Sequence, residues 1–330
     1  MDLGAAGLIE QPFPTHGKPL AVVTYQSQRD ALAILSETLE HPTGLSLLQG
    51  PALSGKSILV RSFRDSIDQE HAAAIVDGKV LNTTKLLLAI LRKFGYELDL
   101  SSANELLGLV RVFAMQQAAS GAPPLIIVEH AHELNPSGLR ALCELAELRV
   151  RSGSALKIVL VSDRSLSSMI EAPGMQGIAK RVLHDFHLRP MSSEETRDYL
   201  HEKLTAAGAE YPSFIFPKPV CEELWRASGG WPGILDRVAL LALARAETLP
   251  VPIDAIEYPA LPGGTSDGPV ITELPESSDQ PMAPPKLIVS NNGSVIQEMT
   301  MDKARLLLGR SEHNDIAIDS RFISRHHALL

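Results

Sequence analysis

Residues 50–57 read Gly50-Pro51-Ala52-Leu53-Ser54-Gly55-Lys56-Ser57, and this octapeptide decides the fold. Its fixed positions match G-x-x-x-x-G-K-[ST], a loop that wraps phosphate oxygens. The chemistry needs these residue types. Glycines let backbone N–H groups turn inward around one anion. The helix expected after the loop adds its positive N-terminal end. Lys56 would neutralise the outer phosphates of a nucleoside triphosphate, and the Ser57 hydroxyl would ligate Mg²⁺. The loop also follows an apolar run, Gly44–Gln49, and precedes a helical stretch, as such a loop must. Gly50, Ser54, Gly55, Lys56 and Ser57 are therefore the candidate nucleotide-binding residues, with ATP and Mg²⁺ as the expected ligands.

Outward from the loop, short apolar runs recur at Ala72–Asp77, at Leu125–Glu129 after Pro123-Pro124, and at Leu156–Ser162, with a weaker alternation at Asp185–Arg189. Helical stretches lie between them. Ser102-Ala103-Asn104-Glu105 has the spacing of a capping box and opens a helix to about Ala119. Asn135-Pro136 caps and starts another, carrying Leu139, Leu142, Leu145 and Leu148 along one side. Ser192-Ser193-Glu194-Glu195 opens a later one. Strand–helix alternation predicts an α/β fold, a parallel sheet covered on both faces. Residues 192–248 read as helices only, which predicts a small α-helical lid.

The chain has 330 residues, too many for one ordinary core. It is 45% hydrophobic and 21% charged, a globular composition that excludes a wholly disordered chain. No apolar run reaches the ~18 residues of a membrane helix. The start, Met1-Asp2-Leu3-Gly4, lacks the pattern of a signal peptide. Cys143 and Cys221 make neither a metal cluster nor a disulfide framework and fit a reducing cytoplasm. A net charge of −9 disfavours a generally basic nucleic-acid binder.

Residues 257–284 hold Glu257, Asp267, Glu273, Glu276 and Asp279 but no Lys or Arg, and are rich in Pro, Gly and Ser. They offer few bulky apolar groups to offset ordering entropy and read as a linker, with an ordered surface loop as the alternative. The expected domains are thus a P-loop core at 1–191, the lid at 192–256, the linker at 257–284 and a β-type module at 285–330.

One further stretch bears on catalysis. A P-loop ATPase needs an acid at the end of another strand, and usually a carboxylate that activates water. Leu125-Ile126-Ile127-Val128-Glu129-His130-Ala131-His132-Glu133-Leu134 is the candidate. With the P-loop, Ile158-Val159-Leu160-Val161, Lys180-Arg181, Leu188-Arg189-Pro190-Met191 and Ser228-Gly229-Gly230-Trp231-Pro232, it resembles the ExeA (GspA) group of AAA+ ATPases over roughly residues 8–248. That group is known from type II secretion and is related to transposition ATPases. The resemblance implies an AAA+ core with a helical lid and homo-oligomers on ATP binding. It places Glu129 where the group has its Mg²⁺-side Asp, and His130 where it has the catalytic Glu. Asp163 stands at an uncharged sensor position, where an anion would repel a γ-phosphate unless protonated or paired. Gly233 stands where a second-sensor Arg is often found. Arg181 matches a basic position that can act across a subunit boundary, though a salt-bridged surface Arg would look the same.

Catalysis is therefore assigned to Glu129, His130 and Arg181, and metal binding to Ser57 and Glu129. Losing one transition-state group costs ~2.7–4 kcal/mol, so tight binding with slow hydrolysis is expected. An ordinary ATPase that tolerates these substitutions is the alternative. A metal shared by His130 and His132 lacks a third ligand.

Leu308-Gly309-Arg310, Asn314-Asp315-Ile316 and Ser324-Arg325-His326-His327-Ala328 resemble the first half of a forkhead-associated (FHA) domain, an all-β sandwich that binds phosphothreonine peptides. The resemblance implies that Arg310 and Ser324 contact phosphate, that Arg325 assists, and that His327 buttresses the loop. A degenerate scaffold is the other reading. The chain reaches Leu330 before the family's later strands, so a fragment that binds phosphopeptide poorly is expected. The combined expectation is an ATP-binding switch coupled to a phosphothreonine-protein partner, in secretion or surface-structure assembly. The alternatives are a DNA-linked ATPase of the transposition kind and a scaffold with a structural P-loop.

Overall fold

The computed structural model describes residues 7–14, 20–68, 71–79, 82–97, 102–151, 153–172, 175 and 179–259, and five strand segments between 286 and 329. The chain separates into two units, Met1–Pro262 and Gly263–Leu330.

The first unit begins with α1 (Gln26–Glu40), β1 (Leu45–Gln49), α2 (Lys56–Ser66), β2 (Ala73–Asp77), α3 (Thr83–Lys93), α4 (Ala103–Ala119) and β3 (Leu125–Glu129). There follow α5 (Pro136–Ala146), a small hairpin of β4 (Arg149–Val150) and β5 (Gly153–Ser154), β6 (Lys157–Ser162), α6 (Ser167–Ile170) and β7 (Val182–His187). Strands β2, β3, β6, β1 and β7 form one sheet in that order, all parallel.

Every residue of β1, β3 and β6 is buried, because helices cover both faces. Alternate strand residues serve opposite layers. Leu47, Ile126, Val128, Ile158 and Leu160 pack with α3, α4 and α5 through Leu86, Ile90, Leu106 and Leu142. Leu48, Leu125, Ile127, Val159 and Val161 pack with α1 and α2 through Leu35, Leu59 and Phe63. Each such side chain contributes about 1.5–3 kcal/mol on burial.

Strand β7 departs from the expected span of 185–189. It starts at Val182, and its pairing with β1 slips between Leu45 and Ser46, so that Ser46 faces His184. It is the sheet edge, half-covered, and therefore tolerates His184, Asp185 and His187 where an inner strand would need apolar residues. Leu148 lies beyond the end of α5 but still packs on the core.

The lid consists of α7 (Ser193–Ala206), α8 (Pro212–Ile215), α9 (Lys218–Ser228) and α10 (Pro232–Arg245). Its core includes Leu200, Phe216, Leu224 and Leu235, and the N-terminal segment adds Leu8, Phe13 and Tyr25. Ser192 and Glu195 form a full capping box on α7. Glu195 does more: one carboxylate oxygen accepts from the Ser192 amide at 2.9 Å, the other from the Gln26 amide at 2.8 Å. One side chain thus caps both α7 and α1, whose own N-cap residue, Tyr25, has no capping side chain. Burial would raise the Glu195 carboxyl, but these amide hydrogen bonds outweigh it and hold the group below its ordinary range. A depressed carboxylate stabilises the fold above its unfolded-state pKa, and that stability is lost as pH falls through the folded value. Glu195→Gln is therefore expected to cost about 1–2 kcal/mol near neutral pH, and to flatten the acid limb of stability against pH in denaturant titrations.

In the second unit, β8 (Lys286–Asn291) pairs antiparallel with β9 (Ser294–Thr300). Strand β10 (Leu307–Gly309) pairs parallel with β11 (Ile316–Ala317) and antiparallel with β12 (Ala328–Leu329). Arg310, Ser324, Arg325 and His327 lie outside the described residues, as does most of 257–284.

Candidate functional site

The crevice at the carboxyl ends of β1, β3 and β6 gathers the chemistry, as expected of a parallel sheet. Gly50–Gly55 leaves β1 and turns into α2. Gly55 takes φ 89°, a left-handed conformation that favours glycine, and a Cβ there would push aside the Gln28 amide. Lys56 opens α2 and is only 6% exposed. Its ammonium donates to the Gly50 and Pro51 carbonyls at 2.7 Å each and to Ser54 Oγ at 3.0 Å, and pairs with Asp163 at 2.9 Å. Burial lowers its pKa, an effect that Asp163 and Glu129 partly offset.

Asp163 follows the last residue of β6. Burial would raise its carboxyl, but the hydrogen bond and charge of Lys56, with His130 and His132, hold it below the ordinary range. The anion at this position is thus paired, and its partner is the phosphate-loop lysine itself.

Glu129 ends β3, buried, with Arg61 at 3.9 Å. His130 comes next with φ 52°, a left-handed conformation uncommon outside glycine that turns the chain sharply at the strand end. His130 Nδ1 donates to Asp77 Oδ1 at 2.8 Å, across from the neighbouring strand end. Burial would raise Asp77, but the Lys79 amide and His130 hold it below its ordinary range. In the neutral ring this leaves Nε2 as the acceptor atom, and His130 lines the same cavity as Lys56 and Ser57. His132 turns elsewhere: its Nδ1 lies 3.2 Å from Ser162 Oγ and accepts from the Asp163 amide at 3.4 Å. The described residues contain no metal-ligating cluster.

Arg181 is not brought to this crevice. It precedes β7, whose Val182 pairs with Leu45 at the opposite end of β1 from the loop, and it binds Glu147 at 2.9 Å.

The cavity, about 360 Å³, runs on from the loop between the core and the lid. Its floor and walls include Val22, Val23, Ile58, Leu59 and Pro232. The lid closes directly on the loop: the Gly233 amide donates to the Leu53 carbonyl at 2.9 Å, and a Cβ at Gly233 would lie 2.8 Å from that oxygen. A bare glycine is what lets the α10 N-terminus sit there. Gly233→Arg should therefore prise the lid from the loop and cost about 1–3 kcal/mol. An unchanged thermal midpoint would show that the contact contributes nothing.

The loop, Glu129, His130 and Asp163 stand out in the sequence; Asp77, Tyr199, Lys203 and Asp236, which sit at or near the same cleft, do not. Asp77 was recoverable, because a polar residue ending an apolar parallel strand faces the crevice. The three lid residues carry no comparable signal.

The fit to nucleotide is favourable on these observations. The loop has a glycine in a left-handed conformation, a buried ammonium with oxygen acceptors, and a neighbouring hydroxyl and carboxylate in Ser57 and Glu129. Residues 39–170 match the AAA domain family, and residues 306–330 match the FHA domain family. Over 244 residues the chain is 29% identical to general secretion pathway protein A of Aeromonas hydrophila. That match covers 72% of this chain and 44% of the relative, so the chain spans less than half of that protein's length. Among solved structures it is similar to Cdc6p from Pyrobaculum aerophilum (TM-score 0.56, 17% identity, 73% of this chain and 66% of that one). It is also similar to the Aeropyrum pernix ORC2 protein in ADPNP–ADP complexes (TM-score 0.53, 16% identity, 71% and 65%). These likenesses show the fold, a P-loop AAA+ sheet with helices on both faces.

Proposed function

We propose that this chain, an AAA+ ATPase related to general secretion pathway protein A, is an ATP-binding switch with slow hydrolysis, coupled to phosphothreonine recognition. The observation that carries the reading is Lys56, a buried ammonium held at the mouth of the phosphate loop by two carbonyls, Ser54 and Asp163. Gly50, Ser54, Gly55 and Lys56 would hold the phosphates. Ser57 and Glu129 would hold Mg²⁺, which when bound neutralises phosphate charge.

His130 would take a proton from the attacking water through Nε2, with Asp77 fixing the ring. An imidazole lacks the negative charge of a catalytic carboxylate, and Asp163 must give up Lys56 before that lysine can serve a phosphate. Both effects slow turnover. Arg181 would act on the nucleotide of a neighbouring copy, which fits its place away from the crevice of its own chain. The FHA match supports a threonine-phosphorylated partner met through Arg310, Ser324 and Arg325, with residues 257–284 as tether and raising local concentration. The relative's name supports a role in secretion; the same reading would extend it to surface-structure assembly and would place the chain in the cytoplasm. No helix of the described residues is long and apolar enough to cross a membrane.

Steady-state phosphate release at saturating Mg–ATP tests the reading. Turnover well below ~1 s⁻¹ is expected. Turnover at or above that figure would make the chain an ordinary ATPase.

A further inference from the structure

The lid contributes an ion pair that the phosphate chemistry does not use. Lys203 on α7 is 5% exposed and donates to Asp236 Oδ2 on α10 at 2.6 Å. The Tyr199 hydroxyl donates to the other carboxylate oxygen at 3.0 Å. The ammonium also lies 4.8 Å from the Tyr199 ring centre. Burying such a pair costs desolvation that an apolar pair of similar size would avoid, so it is weak evidence for stability alone. Yet Tyr199, Lys203 and Asp236 all line the cavity that begins at the phosphate loop, in company with Val22, Val23 and Pro232. A few convergent polar groups in apolar walls orient a ligand. The pair is neutral overall, which suits the uncharged part of a nucleotide, whereas the charged part belongs with Lys56. Each carboxylate oxygen has a second lone pair beyond its bond to Tyr199 or Lys203.

We propose that Asp236, oriented by Tyr199 and Lys203, reads the nucleoside by accepting a hydrogen bond from one of its donors, the exocyclic base amine or a ribose hydroxyl. This rests on the nucleotide reading of the cleft. It makes the lid a specificity element, since a bound nucleoside would tie α7 and α10 to the loop that holds its phosphates.

The test measures equilibrium affinity of the full chain, with Mg²⁺, for ATP, 2′-deoxy-ATP and the 6-deamino analogue, purine riboside triphosphate. Wild type should bind one deletion analogue about 10-fold or more weakly than ATP. Loss with the deamino analogue assigns the amine, and loss with the deoxy analogue assigns the ribose. Asp236→Leu combined with Lys203→Met leaves no unpaired buried charge, and should bring that ratio close to one. Tyr199→Phe should reduce it. Thermal unfolding of each variant reports folding. Equal affinity of wild type for all three ligands, or a ratio unchanged in the double variant, overturns the proposal and assigns the pair to structure. Failure of wild type to bind ATP at all overturns the nucleotide reading beneath it.

Discussion

Lys56→Ala is expected to weaken Mg–ATP binding by at least ~100-fold, equivalent to about 2.7 kcal/mol. Lys56 makes four polar contacts from a 6% exposed position, so its ammonium is fixed in the loop rather than waving in solvent. Deleting it removes the positive charge meant for the phosphates and leaves Asp163 beside them without its lysine partner. It also strands a half-buried carboxylate, 29% exposed, which should cost about 1–3 kcal/mol of stability. The two effects separate in Lys56→Ala/Asp163→Asn. That double variant should recover thermal stability while nucleotide affinity stays well below wild type. Affinity restored along with stability would mean that Lys56 serves the fold and not the ligand.

The second large effect concerns turnover. Replacing the water-activating group with a carboxylate should raise phosphate release by ~10²-fold, the scale of one transition-state interaction. The surroundings dictate how this must be done. His130 Nδ1 stands 2.8 Å from Asp77, so His130→Glu alone would set two carboxylates against each other and drive the new one out of position. Asp77→Asn/His130→Glu removes the repulsion and supplies an amide that can donate. The double variant should be the fast one, with the single variant little changed. Equal rates in wild type and both variants would show that position 130 does not limit the reaction.

The sheet was legible because its inner strands are apolar on both faces and break at turns. Residues 125–129 and 156–162 could hardly be read otherwise. Helix α1 was missed for a physical reason: its cap is Glu195, 169 residues away in sequence, and a local pattern cannot show it. The hairpin at Arg149–Ser154 is too short for periodicity, and β7 is an edge strand whose polar residues mask its pairing. The site divides along the same line. The phosphate loop is contiguous and therefore readable, as were the residues that follow β3. The Asp163 charge looked unfavourable from sequence, because its partner Lys56 is distant in the chain. Gly233 read as a missing arginine, whereas in the fold its bareness is what lets the lid touch Leu53. Asp77, Tyr199, Lys203 and Asp236 became functional candidates only through the cavity that collects them.

A nucleotide-driven switch requires a triphosphate to bind where Lys56 lies, and equilibrium titration of the wild-type chain with fluorescent ATP, with and without Mg²⁺, tests that directly. Saturable, magnesium-strengthened binding that unlabelled ATP displaces is the predicted result. No saturable uptake up to millimolar nucleotide would contradict it.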